Sequence, residues 1–159
     1  MSLQDGTYQI TSVLTKETLG RDYVEDRSFN PKPIIMQKPN LDYPYTNWQI
    51  ERCDDSYYLK NGGAAAGLVD GNDSGRIVAI LQEGFGRSRE WILRPAAGSE
   101  EGRTYNICDS DEGSNLAWTV EDDKVAPNGD RRILTTFVRS LAVYIEFQTF
   151  RACESNYRT

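Results

Sequence analysis

The chain has 159 residues, 38% hydrophobic and 26% charged, with a net charge of -6, which fits one folded domain and excludes a disordered polymer. The acidic balance argues against a nucleic-acid partner, which needs clustered Lys and Arg, and no apolar run reaches the length of a membrane span. Histidine is absent, so Ser-His-Asp and Cys-His catalysis and histidine-based metal sites are excluded. No enzyme activity, cofactor or metal is expected.

Short alternating runs punctuated by Gly, Pro, Asn and Asp replace helical periodicity along the whole chain, which is an all-β pattern. The first run, GTYQI, carries Tyr8 and Ile10; it recurs as DSYYL with Tyr57, Tyr58 and Leu59, and as GRTYNI with Tyr105 and Ile107. These tyrosines recur at a spacing of about 50 residues, a period that fits supersecondary units of several strands. Each unit continues through an apolar β-prone run: PIIMQ at 33–37, RIVAILQ at 76–82 and RRILTTFV at 131–138. Each closes on an aromatic followed two positions later by an apolar residue: Trp48 and Ile50, Trp91 and Leu93, and less regularly Phe147 with Phe150. That spacing points both side chains to one face of a sheet. Three units of four strands predict a twelve-stranded β-trefoil over residues 1–159, with repeats at roughly 4–52, 53–95 and 96–153. The repeated aromatics are then core layers, and function is expected on the loops.

One connection stands out. Residues 22–32, between a strand around Thr18–Arg21 and one beginning at Pro33, exceed a tight hairpin, and ordered loops of that length are often functional. Pro31 and Pro33 fix φ and bias Asn30 and Lys32 toward extended geometry. A segment stiffened in this way suits a protease cleft, which binds backbone as a strand and rewards preorganisation.

The string VEDRSFNPKPI resembles the reactive-site region of the mushroom β-trefoil serine protease inhibitors, the cospin-like family. The N-terminal MSL…G.Y.I and, more loosely, the W.I strand ends share the likeness. The resemblance implies a trypsin-like serine protease as partner, bound through the loop between the second and third strands. It also implies an asparagine at the primary specificity position, which matches Asn30. Phe29 before that asparagine and Pro33 after the lysine depart from the family's pattern and bear on which protease is preferred. Phe29 and Ser28 would lie on one side of the reactive bond, Pro31 and Lys32 on the leaving-group side. Asn30–Pro31 is a bond whose nitrogen is tertiary and ring-locked, suited to binding without rapid cleavage. Arg27–Ser28 competes with it, because arginine reaches the acid of a trypsin-type pocket directly. Chemistry alone favours Arg27; the resemblance places Asn30 first. The plainer role for Arg27 is a surface ion pair with Glu25 or Asp26.

Other marked segments read as structure. VDGNDSG (69–75) and CDSDEGSN (108–115) lack the twelfth-position glutamate of a calcium loop and suit hairpin turns. Asn72–Ser74 is a glycosylation sequon, unused in a cytosolic protein. The pairs Glu100–Glu101 and Asp122–Asp123 carry no glycosidase pattern and are expected on the surface, and GFGR at 84–87 lacks the setting of a phosphate loop. Lectin function is the main rival, but Thr46 and Arg89 stand where a ricin-type repeat carries glutamine before Trp48 and Trp91. A third possibility is inhibition of cysteine proteases through other loops. The N-terminus shows no secretory signal, so the chain is expected in the cytoplasm, monomeric, with Cys53, Cys108 and Cys153 reduced.

Overall fold

The tyrosine and tryptophan spacings set the architecture. The computed structural model describes residues 2–13, 15–22, 24–37, 45–69, 75–96, 104–110, 116–120, 133–137 and 145–149. Its strands are β1 (Gly6–Ser12), β2 (Thr18–Arg21), β3 (Lys32–Gln37), β4 (Asn47–Cys53), β5 (Ser56–Asn61), β6 (Ala64–Leu68) and β7 (Ile77–Ile80). They continue with β8 (Arg87–Ser88), β9 (Trp91–Pro95), β10 (Thr104–Asp109), β11 (Leu116–Val120), β12 (Ile133–Phe137) and β13 (Ile145–Thr149). No helix occurs among the described residues.

Six strands close a ring by antiparallel pairing, in the order β1, β4, β5, β9, β10, β13 and back to β1. The remaining long strands pair as the hairpins β2–β3, β6–β7 and β11–β12. Barrel plus three hairpins is the β-trefoil expected from the sequence. The strand beyond the expected twelve, β8, is two residues long and pairs with Gly67 and Leu68 of β6. Glycine permits this approach, since a Cβ on Gly67 would lie 2.0 Å from the Arg87 carbonyl oxygen. That close contact was not visible in the alternation.

Alternation places Tyr8 and Ile10, Tyr57 and Leu59, and Tyr105 and Ile107 in the core, with Trp48, Ile50, Trp91 and Leu93. Tyr58 falls on the opposite pleat and sends its hydroxyl to Glu90 instead. Trp118 packs at 6.0 Å from Trp48 and edge-on at 5.2 Å from Trp91. The Trp48 indole donates to the Leu19 carbonyl at 2.8 Å and Trp91 donates to the Ala66 carbonyl at 3.3 Å. Corresponding strand-end tryptophans thus lock β2 and β6 over the barrel, and truncating any buried tryptophan costs ~3–5 kcal/mol. Phe147 lies in β13 opposite Ile10, whereas Phe150 lies outside the described residues.

Cys53 and Cys108 are free thiols, and burial pushes the Cys108 thiol above its ordinary pKa. Cys153, residues 70–74 and 111–115, and the pairs Glu100–Glu101 and Asp122–Asp123 lie outside the described residues.

Candidate functional site

The connection from β2 to β3 is built on a buried foundation. Asn61, at the end of β5, is fully buried. Its Oδ1 accepts from the Arg21 backbone N–H at 3.1 Å, and its Nδ2 donates to the carbonyls of Tyr45 (2.8 Å) and Asn47 (3.1 Å). The next two residues, Gly62 (φ 58°) and Gly63 (φ 79°), form the two-residue turn into β6, a hairpin geometry with both central residues at positive φ. A Cβ on Gly62 would meet the Tyr45 ring at 2.6 Å and Arg21 Nη1 at 2.8 Å. The bare turn therefore makes the floor on which the Arg21 guanidinium lies, with the Tyr45 ring 4.2 Å away on its face.

Arg21 then reaches into the loop. Its Nε and Nη2 donate to the two carboxylate oxygens of Glu25 at 2.9 and 2.6 Å, a forked, charge-assisted pair. Nη1 donates to the Asn61 carbonyl at 3.3 Å, and the Arg21 carbonyl accepts from Gln37 Nε2. The loop's first turn is tied to three different strands.

A second brace lies inside the loop. Asp26 Oδ1 accepts from Lys32 Nζ at 2.5 Å, from the Ser28 N–H at 2.8 Å and from Ser28 Oγ. Lys32 Nζ also donates to the Asp26 carbonyl at 3.3 Å and Ser28 Oγ at 3.2 Å, while the Asn30 N–H donates to Ser28 Oγ at 3.3 Å. The Lys32 ammonium, ahead of the Ser28 donors, holds the Asp26 carboxyl down to about 2. Val24 N–H caps onto Asp22 Oδ1 at 3.1 Å, a local turn that Asp favours. Beyond the brace, Lys32 and Pro33 pair in register with Ala79 and Val78 of β7. The loop is stapled at its base and across its middle.

These ties decide what the loop shows. Val24 is 77% exposed and Phe29 66% exposed, the two most exposed large apolar side chains among the described residues. Arg27 and Asn30 are exposed, Ser28 and Pro31 half-buried. Lys32 requires a correction. The sequence placed it among the protease-facing residues, but its side chain is buried and spent on Asp26 and Ser28. Lys32 shares a pleat of β3 with Ile34 and Met36, which lie in the core, so residue 32 turns inward, and a buried ammonium needs a carboxylate partner. Nor does Arg27 take the surface ion pair considered for it: Glu25 is held by Arg21 and Asp26 by Lys32. Among the described residues Arg27 has no ion-pair partner. Arg21, Glu25, Tyr45, Asn61 and Gly62 were missed as supports, although Asn-Gly-Gly between two apolar runs signals a tight hairpin. Among the described residues, no cluster of three Cys, Asp or Glu side chains is placed to hold a metal ion.

A rigid all-β barrel presenting one braced loop, crested by exposed side chains, defines a loop-display protein. The sequence matches the family described as peptidase inhibitor I66 over residues 1–146, and the chain belongs to that family. It is a protease inhibitor and not an enzyme. It is 31% identical over 121 residues to a protein of Lentinula edodes named serine protease inhibitor, covering 76% of this chain and 77% of the relative. The fold is similar to a proteinase inhibitor of Coprinopsis cinerea (TM-score 0.64, 23% identity, 97% of this chain and 89% of that one). It also resembles winged bean albumin 1 (TM-score 0.64, 14% identity, 91% of each chain). A lectin of Polyporus squamosus shares the fold (TM-score 0.66, 19% identity, 93% of this chain and 50% of that one), a likeness of architecture alone.

Proposed function

We propose that the chain inhibits trypsin-like serine proteases in a substrate-like manner, through residues 24–31, with Asn30 in the primary specificity pocket. The observation that carries this reading is the contrast within the loop. Phe29 and Asn30 stand exposed at its crest, while Arg21–Glu25 and Asp26–Lys32 tie down the chain on either side. A loop already ordered loses little freedom on binding. Asn30 donates its amide toward the pocket acid, and Pro31 offers a leaving nitrogen without an N–H, so the bond after Asn30 is cleaved slowly. Phe29 fills the neighbouring subsite. Flanking contacts supply most of the affinity, since an asparagine fills an arginine pocket badly and protease–inhibitor interfaces bury about 1,600 Å².

A second assignment, Arg27–Ser28 as the reactive bond, is favoured by one specific observation: Arg27 is exposed without an ion pair among the described residues, beside a Ser28 nitrogen held by Asp26. Inhibition constants for Asn30→Ala and Arg27→Ala, measured side by side against trypsin, separate the two. Loss with Asn30→Ala, and retained or tighter binding with Asn30→Arg, is the expected result. Loss with Arg27→Ala alone moves the reactive bond to Arg27–Ser28. No loss with either removes the loop from the site.

A further inference from the structure

Both candidate reactive bonds lie inside the span closed by Asp26 and Lys32. Asp26 precedes Arg27–Ser28 and Asn30–Pro31, and Lys32 follows both. We propose that Asp26 and Lys32 form a clasp that holds a protease-cut loop together, so that the protease reseals it and inhibition outlasts cleavage. This rests on the reading that the loop enters a protease cleft.

The geometry bears on the ends that a cut creates. At Arg27–Ser28, the protease serine attacks the Arg27 carbonyl and the C–N bond breaks. The serine proton passes through the protease's own base to the Ser28 nitrogen, and Arg27 remains as an ester on the serine. That nitrogen is the atom that lies 2.8 Å from Asp26 Oδ1, on the acyl side of the cut. Lys32 Nζ meanwhile grips the same carboxylate oxygen at 2.5 Å, the Asp26 carbonyl and Ser28 Oγ. Both ends therefore stay bound to one buried ammonium. In the reverse direction the Ser28 amine attacks the ester, its proton returns to the departing serine oxygen, and the C–N bond re-forms. Water competes by hydrolysing the ester to a free carboxylate. An amine held in place acts at high effective concentration, which favours resealing over escape. At Asn30–Pro31 the same clasp spans the cut, with Pro31 directly preceding Lys32, whose backbone pairs with Ala79.

Lys32 is also placed to resist release. Its side chain is buried and its strand is paired to β7, so the C-terminal end of a cut loop is fixed to the barrel. The N-terminal end is fixed by Arg21 on Glu25. The two halves are anchored independently, and the clasp sets the distance between them.

The test uses the full chain with a catalytic amount of trypsin. Mass spectrometry follows the cut form, which has gained one water, and purified cut inhibitor is also returned to trypsin. The expected wild-type result is one intact-to-cut ratio reached from both directions, with inhibition persisting. Asp26→Ala and Lys32→Met are expected to move that ratio toward the cut form by about tenfold or more, the scale of one charged hydrogen bond. Inhibition by these variants then fades with incubation, and Lys32→Arg, which keeps the cation, restores both properties. Asp26 is mostly exposed, so Asp26→Ala keeps the fold if Lys32→Met does not. Wild-type ratios and persistence in both variants overturn the clasp, even where Asn30→Ala or Arg27→Ala abolishes inhibition and the loop itself stands. Unchanged inhibition in all four alanine and methionine variants, with no cut inside residues 22–32, overturns the loop and the clasp together.

Discussion

Asn61→Ala should be the most damaging single truncation of a polar side chain in the described structure. The side chain is fully buried and satisfies three backbone groups: the Arg21 N–H and the carbonyls of Tyr45 and Asn47. Each buried polar group left without a partner costs ~1–3 kcal/mol. Water entering the space freed by truncation would solvate these groups in part, so the lower half of that range applies, and the sum over three groups is about 3–6 kcal/mol. With a urea slope of about 2 kcal/mol per molar, the midpoint should fall by about 1.5–3 M with the slope unchanged. Trp48, Trp91 and Trp118 are all buried and report the transition by fluorescence. Asn61→Asp should do no better, because it keeps the acceptor for Arg21 but turns a second oxygen toward two carbonyls. Inhibition should weaken in step, since Arg21 loses the anchor that aligns Glu25. A midpoint shift below about 0.5 M would show that these groups find other partners, and that Asn61 is not the hinge between barrel and loop.

Gly62→Ala should cost at least twice what Gly63→Ala costs in thermal melts. Both sit at positive φ, a penalty of ~1–2 kcal/mol, but only Gly62 faces Tyr45 and Arg21 within 3 Å, while Gly63 opens onto free space; equal losses would remove the floor beneath Arg21. Asp26 titrates at about 2 against an ordinary 3.8. Because its folded value is depressed, the Asp26–Lys32 tie is fully present above about pH 4 and is lost as pH falls through 2. A carboxyl-carbon NMR titration should therefore place its midpoint near 2, and a midpoint near 3.8 would mean the pair is not formed in solution. Pro31→Ala should restore a leaving N–H and loosen the loop by ~0.4–1 kcal/mol, turning a slow substrate of trypsin into a faster one. An unchanged cleavage rate at residue 30 would argue against a role for the proline ring.

The barrel was legible because its information is periodic. A tyrosine and an apolar residue two apart, and a tryptophan and an apolar residue two apart, fix which pleat faces inward without knowledge of the partner strand. The loop was legible as a place, through its length and its prolines, but its internal wiring was not. Lys32 reads as a solvent-facing cation until β3 is known to turn it toward Asp26. Arg21 and Asn61 lie far apart in sequence and meet only because β2 and the β5–β6 turn share a corner. Single sequences encode such meetings through three-dimensional register, which no local pattern reveals. The short strand β8 escaped for a related reason, since Gly67 shows its purpose only when Arg87 is seen lying against it.

The closed ring of six strands carries a consequence for the newly made chain. Strand β1 pairs with β4 on one side but with β13 on the other, Tyr8 lying opposite Thr149. A growing polypeptide can form the first hairpins early, yet one flank of β1 stays bare until β13 has left the ribosome. Folds dominated by such distant pairings cross their barrier slowly, on the order of milliseconds to seconds. The loop follows the same calendar. Residues 22–31 are made early, but Asn61 and Ala79, on which Arg21 and Lys32 settle, arrive only after roughly a third to half of the chain has been made. Nascent chains should therefore emerge with residues 22–31 still slack, open to cleavage, and acquire resistance only as the barrel shuts. Survival of the new chain should thus depend on how soon β1 closes on β13.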